Sequence, residues 1–417
     1  MDLEDLPRII HSSRSAGRCF HLRALYFKVI LPKYSVAARG HYENHVDRDG
    51  NNRVFSQVIT SLFEILSSWP DYDHNMSLEI YARSPSDWQA EPDWTIRRIR
   101  QERGYAFPDE ELLHRRYKSS YLQLMGNVTL SNVKCITSLK VLGCDCFRNI
   151  APGAVSEMVA HLPRLQLINA RLRAKERKDA AMHDSLGDFP GTSWPSSLRH
   201  LQLGYEEQPF EEQASSLSNP GANDLCLALY QMTQRLENVY LSQIMIGPEV
   251  FWPADANNVT PFWPNLLKFS MSYTYTLSSG FSPVRGALGS EEDLSPDSPD
   301  SYPDATDDSV EPPDNKQQSP ILRLVSKNLE ELYLAAGRAA QHMPRLSSMD
   351  LDVCIFHSPS TQYYFRYDAT LGTATWMRPS HYRVSNKVQE AWDVAAKGHG
   401  HGQICTEVLS LDSSLSP

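Results

Sequence analysis

Ser197-Leu198-Arg199-His200-Leu201-Gln202-Leu203 carries the spacing on which the fold reading rests. Leu198, Leu201 and Leu203 form L-x-x-L-x-L, in which the first leucine enters a strand and the next two share one buried face. His200 and Gln202 then point the other way, toward solvent or a partner. Similar hexads begin at Leu22 (LRALYF), Leu139 (LKVLGC), Leu165 (LQLINA) and Leu236 (LENVYL), and again at Leu266 (LLKFSM), Leu329 (LEELYL) and Leu346 (LSSMDL). From Leu139 the gaps are 26, 33, 38, 30, 63 and 17 residues. The first four match the period of stacked strand–helix units. Several hexads follow a proline approach, such as His161-Leu-Pro-Arg, Trp194-Pro-Ser-Ser, Trp263-Pro-Asn and Met343-Pro-Arg. There proline stops a helix and starts extended chain.

The segments between the hexads fit crossover helices. Val54, Val58, Ile59, Leu62, Phe63 and Leu66 recur at helical spacing, which predicts a helix over 53–68 after a polar loop over 34–52. Pro152 opens a helix carrying Val155, Met158, Val159 and Leu162, a position where proline loses no intrahelical bond. A third helix fits 223–234, capped by Asn223 or Asp224, with Leu225, Leu227, Leu229 and Met232 inward. Residues 84–118, charged and aromatic with two tryptophans, show no clear period. The resulting fold class is α/β: a leucine-rich-repeat-like solenoid of parallel strands and helices, with strands on one face of an arc and helices on the other.

Composition divides the chain further. Residues 1–279 and 320–352 carry the repeat pattern, and 280–319 interrupts it with Ser, Pro, Asp and Glu. Too little apolar surface lies in 280–319 to offset its ordering entropy, so disorder is expected there. Ser282, Ser295, Ser298 and Ser319 each precede proline and are candidate phosphorylation sites. Residues 353–398 read as a cap. In it Tyr363–Asp368 and Thr373–Met377 form a hairpin through Leu371-Gly372, and Ser385 caps a helix carrying Val388, Ala391, Trp392 and Ala395. Residues 399–417 read as a flexible tail, in which His399-Gly-His401 would have only incidental metal affinity.

Net charge is −10, yet 291–318 hold ten acidic side chains and one lysine, so the remainder is about −1. No clustered basic surface of the kind nucleic acid requires is visible, and no nucleic-acid partner is expected. No run approaches eighteen apolar residues, so no membrane span is expected. The acidic N-terminus lacks the apolar core of a secretory signal, and seven scattered cysteines suit reduced thiols. These features place the chain in the cytoplasm or nucleus. Cys144-Asp-Cys146 lacks a second paired motif, so no metal and no cofactor is expected. None of the common phosphate-loop, nucleophile-elbow or zinc-protease motifs occurs, and no catalytic residues are assigned.

The LRALYFKVILPKY strand, the VFSQVITSLFEILSSW helix, SLEIYARSPSD, NLEELYLAAGRAAQHMPRLSSMDLDV and YYFRYDATLGTATW together resemble fungal F-box proteins with irregular leucine-rich repeats. The resemblance implies the target-binding part of an SCF-type ubiquitin ligase receptor, with a Skp1-type adaptor as partner through an F-box. Some twelve residues separate Leu6-Pro7 from the first strand, too few for a three-helix F-box, so the expectation is a chain beginning downstream of one. The expected function is noncovalent protein recognition, with a ligase-independent adaptor or scaffold as the alternative and an enzyme of unrecognised type as a remote one. Candidate partner-binding residues are the outward strand positions His200, Gln202, Asn238, Tyr240, Lys268, Ser270, Glu331 and Tyr333, where tyrosines supply rigid amphipathic contact area.

Overall fold

The structure is a computed structural model, and it describes residues 21–69, 75–87, 112–113, 116–117, 120–126, 128–142, 148–174, 194–207, 220–244, 247–253, 260–273, 320–354, 362–378 and 383–410. The acidic stretch 280–319 with Ser282, Ser295, Ser298 and Ser319 lies outside them, as do Cys144, Cys146 and the first twenty residues.

The described chain is mixed α/β. Its strands are β1 (Ala24–Ile30), β2 (Met76–Arg83), β3 (Ile136–Leu142), β4 (Leu167–Ala174), β5 (His200–Glu207) and β6 (Asn238–Ile244). They continue as β7 (Lys268–Tyr273), β8 (Ser348–Cys354), β9 (Gln362–Asp368), β10 (Thr373–Arg378) and β11 (Cys405–Ser410). Helices α1 (His45–Ser67), α2 (Pro152–Ala160), α3 (Pro220–Thr233), α4 (Pro320–Ala340) and α5 (Asn386–Gly398) lie between them. All eleven strands form one open sheet whose spatial order is the order of the chain. Pairing is parallel except for β8–β9 and β9–β10, which are antiparallel. Strand order never reverses among these strands, so the sheet lacks the switch-point crevice of doubly wound folds.

Side-chain alternation explains the layering. In β2 the even residues Met76, Leu78, Ile80 and Ala82 are buried while their neighbours are part-exposed. The inward strand residues and the apolar faces of all five helices belong to one continuous core, from Phe55 and Ile59 through Val155, Leu229 and Leu332 to Trp392. Each fully buried Leu, Ile or Phe contributes about 1.5–3 kcal/mol by leaving water. Among the described residues, no helix is long and apolar enough to cross a membrane.

The hexads explain the strand entries. Leu165, Leu198, Leu236, Leu266 and Leu346 are all buried, each just before its strand. Their tight turns close through Leu165 N to Leu162 O, Leu198 N to Pro195 O, Leu236 N to Thr233 O and Leu346 N to Met343 O. A backbone ladder then runs sideways through the entries. Gln166 N donates to Thr137 O, Arg199 N to Gln166 O, Glu237 N to Arg199 O, Leu267 N to Glu237 O and Ser347 N to Leu267 O, at 2.7–2.9 Å. Trp194 and Trp263 sit under these turns and donate their indole N–H to Ser156 Oγ (3.0 Å) and Thr233 Oγ1 (3.1 Å) at the preceding helix. A buried indole needs such a partner.

Several expectations are corrected. The hexad read from Leu139 starts at Ile136 instead, because Leu139 and Val141 are the inward pair. The Leu329 hexad lies inside α4 and is no strand, which removes the 17-residue gap. Helix α1 begins at His45, well inside the expected loop, because Asn44 Oδ1 accepts from Asp47 N and the polar Asn51 and Asn52 are buried with partners. Helix α3 begins at Pro220, ahead of the expected cap, and Leu227 is 40% exposed. The tail gains a strand, since β11 pairs parallel with β10. The hairpin and the Ser385 cap are present as read, Ser385 Oγ accepting from Val388 N at 3.4 Å.

Candidate recognition surface and the polar cluster at its edge

Opposite the helices, the sheet presents a single register-aligned row. It runs from Tyr26 through Glu79, Lys140 and Asn169 to Gln202 and Tyr240. It continues through Ser270, Asp350, Arg366 and Thr375 to Glu407. Every strand contributes one side chain, and all eleven are polar or tyrosine. Adjacent strands lie about 4.8 Å apart, so the row spans about 48 Å. Tyr26 is 69% and Tyr240 42% exposed. Neighbours within the row interact: Lys140 Nζ is 3.1 Å from Glu79 Oε2, and Arg366 Nε is 3.7 Å from Asp350 Oδ1. Tyr364 adds an O–H donated to Asp350 Oδ1 at 2.8 Å; burial and that carboxylate push its hydroxyl up to about 12.

Six of the eight residues expected on this face are brought together by it. His200, Asn238 and Lys268 are register partners in one row, and Gln202, Tyr240 and Ser270 in the next. The amide of Asn238 donates to His200 Nδ1 at 2.8 Å. Glu331 and Tyr333 do not join them, because both lie on α4. Glu331 is exposed and only 4.0 Å from Lys327, while Tyr333 is 1% exposed and packs against Phe365 and Trp376. The hairpin aromatics are core: Phe365 packs against Trp376, Trp392 and Tyr333, and the Tyr333 carbonyl accepts from Trp392 Nε1 at 3.1 Å.

Beyond the C-terminal ends of β1–β3 lies a cluster that sequence reading missed. Arg148, whose backbone N–H bonds Ala82 O, reaches Glu43 with Nη1–Oε1 at 2.6 Å and Nη2–Oε2 at 2.9 Å. Neither side chain is exposed. Asn51 of α1 donates to Glu43 Oε1 at 2.6 Å, and Ser120 donates to Oε2. Burial alone would raise the Glu43 carboxyl, but Arg148 and these donors hold it below the ordinary carboxylate range.

A second carboxylate organises the other half. Asp87 closes a turn after β2 by accepting from Ser84 N at 2.7 Å. Its Oδ1 accepts the hydroxyls of Tyr34 (2.8 Å) and Tyr117 (2.5 Å), and its carbonyl accepts from Arg39. Burial and the nearby Asp87 push the Tyr117 hydroxyl up to about 12, against the opposing charge of Arg148. Guanidinium groups cover both rings at 3.9 Å, Arg116 over Tyr34 and Arg148 over Tyr117. Arg116 also bonds Ala38 O (2.8 Å) and Asp47 (2.7 Å). The carboxylates of Glu43 and Asp87 are engaged by protein donors, so the arrangement acts as a lock. It fixes the chain after β1, the turn after β2 and the chain after β3 beside the start of the outward row. Among the described residues, no group of three His, Cys, Asp or Glu is placed to hold a metal.

His399 and His401 are structural. His399 Nδ1 accepts from Tyr367 O–H (2.9 Å) while Nε2 meets Met343 O (2.9 Å), and His401 Nε2 meets Ala369 O (2.8 Å). They tie the segment between α5 and β11 to the hairpin, in place of the flexible tail expected from residue 399.

Comparison with known proteins touches the C-terminal part. A family of unknown function, DUF6546, matches residues 319–415, which span α4 through β11. No curated protein and no solved structure matches the chain.

Proposed function

We propose that this chain recognises a protein partner noncovalently across the outward face of its sheet. The observation supporting this is the aligned row from Tyr26 to Glu407, in which strands far apart in sequence place polar and tyrosine side chains at one height. Sequential parallel strands with all described helices on one side fit a solenoid-like arc, whose strand face is an extended binding surface. In the finer reading the chain is the target-binding part of an F-box-type SCF receptor, acting in cytoplasm or nucleus.

A photoreactive residue at Gln202 or Tyr240 tests the reading, with Lys327 on α4 as control. Cross-linking of a partner from the two strand positions and not from Lys327 is the expected outcome. Equal labelling from all three sinks the surface assignment. Co-purification of a Skp1-type adaptor and a cullin with the cross-linked complex supports the ligase reading. A stable partner without them leaves a scaffold.

A further inference from the structure

The outward face is electrically two-ended, and this points to the chemistry of its partner. On β1–β4 the outward positions include Lys28, Arg83, Lys140 and Arg171 against one carboxylate, Glu79, a net of 4 − 1 = +3. On β8–β11 they include Asp350, Asp352, Asp368 and Glu407 against one guanidinium, Arg366, a net of 1 − 4 = −3. The three strands between carry His200, Gln202, Asn238, Tyr240 and Ser270, with Lys268 as their described cation. At Gly204 a Cβ would lie 3.3 Å from Arg171 Cγ and 3.1 Å from Ser242 Oγ. The absent side chain thus lets Arg171 rest across β5 and carries the basic end toward the middle of the sheet. Outside 291–318 the chain is close to neutral, so this separation is a local feature of the face and no reflection of bulk charge.

We infer that the partner is an extended polypeptide bearing an acidic block and a basic block, lying across the strands with its acidic block on β1–β4 and its basic block on β8–β11. The centres of the two ends are seven strands apart, about 34 Å at 4.8 Å per strand. Extended chain covers that distance in about ten residues, so two blocks of about four residues each leave a spacer of about six between them. The middle, with Tyr240 and Lys268 as its one described cation, takes the spacer. This inference rests on the recognition reading above and adds the class of partner.

The test uses the full chain and fluorescent peptides of one composition: four glutamates, a neutral spacer of about six residues and four lysines, against a version with the charges interspersed. The block peptide is expected to bind at least tenfold more tightly, with an affinity that falls as salt rises. Lys140→Glu with Arg171→Glu is expected to weaken it at least tenfold, as is Asp352→Lys with Glu407→Lys. All four changes together turn the two ends to 2 − 3 = −1 and 3 − 2 = +1, so part of the lost binding is expected to return with the peptide reversed, whereas misfolding would leave the fourfold variant dead. Equal affinity for the interspersed peptide, or no restoration, overturns the inference. So does a dimer in sedimentation that Lys140→Glu/Arg171→Glu dissolves, because a second copy would then occupy the face. If Tyr240 cross-links a partner whose binding ignores all four reversals, the charge inference fails while the recognition reading stands.

Discussion

Arg148 and Glu43 face each other through two parallel contacts of 2.6 and 2.9 Å, with both side chains fully removed from solvent, although they are 105 residues apart in sequence. Three segments that leave the ends of β1, β2 and β3 are thereby bound together, because Arg148 also covers Tyr117 and Tyr117 holds Asp87.

Glu43→Gln leaves a buried guanidinium without its counter-charge, which costs about 3–5 kcal/mol. Urea unfolding of the variant should show that loss, and adding Arg148→Met should recover part of it. Glu43 has a lowered carboxyl in the folded state. Its contribution is therefore complete above the ordinary carboxylate range and disappears as pH falls through the lowered value. The variant should lose less stability than the parent across that acid window.

Tyr333→Ala and Glu331→Ala separate a core position from a surface one on the same helix. The first removes a ring packed on Phe365 and Trp376 and is expected to cost about 3–5 kcal/mol. The second touches only an exposed pair 4.0 Å long and should stay within about 0.5 kcal/mol. Comparable losses in thermal melts would place Tyr333 outside the core.

Gly372 turns the hairpin at φ +65°, and a Cβ there would sit 2.5 Å from the His401 ring. Gly372→Ala is expected to destabilise by about 1–3 kcal/mol. Gly153 in α2 has nothing within 4 Å of its would-be Cβ, so Gly153→Ala should be neutral or stabilising by about 0.5 kcal/mol. Calorimetry on the pair checks the contrast.

Burial pushes the thiols of Cys135 and Cys226 up to about 12, whereas Cys405 is exposed. Brief alkylation of the native protein followed by peptide mass mapping should label Cys405 and spare the other two, which react once urea is added. Rapid native labelling of Cys226 would mean that α3 opens locally.

The strand entries at Leu165, Leu198, Leu266 and Leu346 were legible because they combine two independent signals, a period-two apolar pair and a proline turn before it. Leu329 shows what happens when the second is missing. L-x-x-L spacing suits one turn of helix as well as a strand entry, and Leu329, Leu332, Tyr333 and Ala336 follow the helical period that α4 buries. The outward positions of β5–β7 could be read because strand parity alone assigns them. The polar cluster could not: Glu43, Asp87, Arg116 and Arg148 share no local period, and parallel pairing alone brings their segments together. Polar residues also concealed the first turns of α1. Asn51 and Asn52 resemble a loop in sequence yet are buried, because Glu43 and the Gln123 N–H satisfy them. The roles of His399 and His401 were hidden for the same reason, since their partners are backbone carbonyls and a tyrosine hydroxyl contributed by distant segments.

A sheet whose spatial order copies the order of the chain has a mechanical consequence. Tension applied to the two edge strands pulls along the direction in which the strands are hydrogen-bonded, so load reaches one interface after another instead of shearing many bonds at once. Such a structure yields by peeling, strand by strand from an edge. The Arg148–Glu43 lock near the first strands and the aromatic stack near the last stand where that peeling would begin, each acting as a clasp at one end of a zipper.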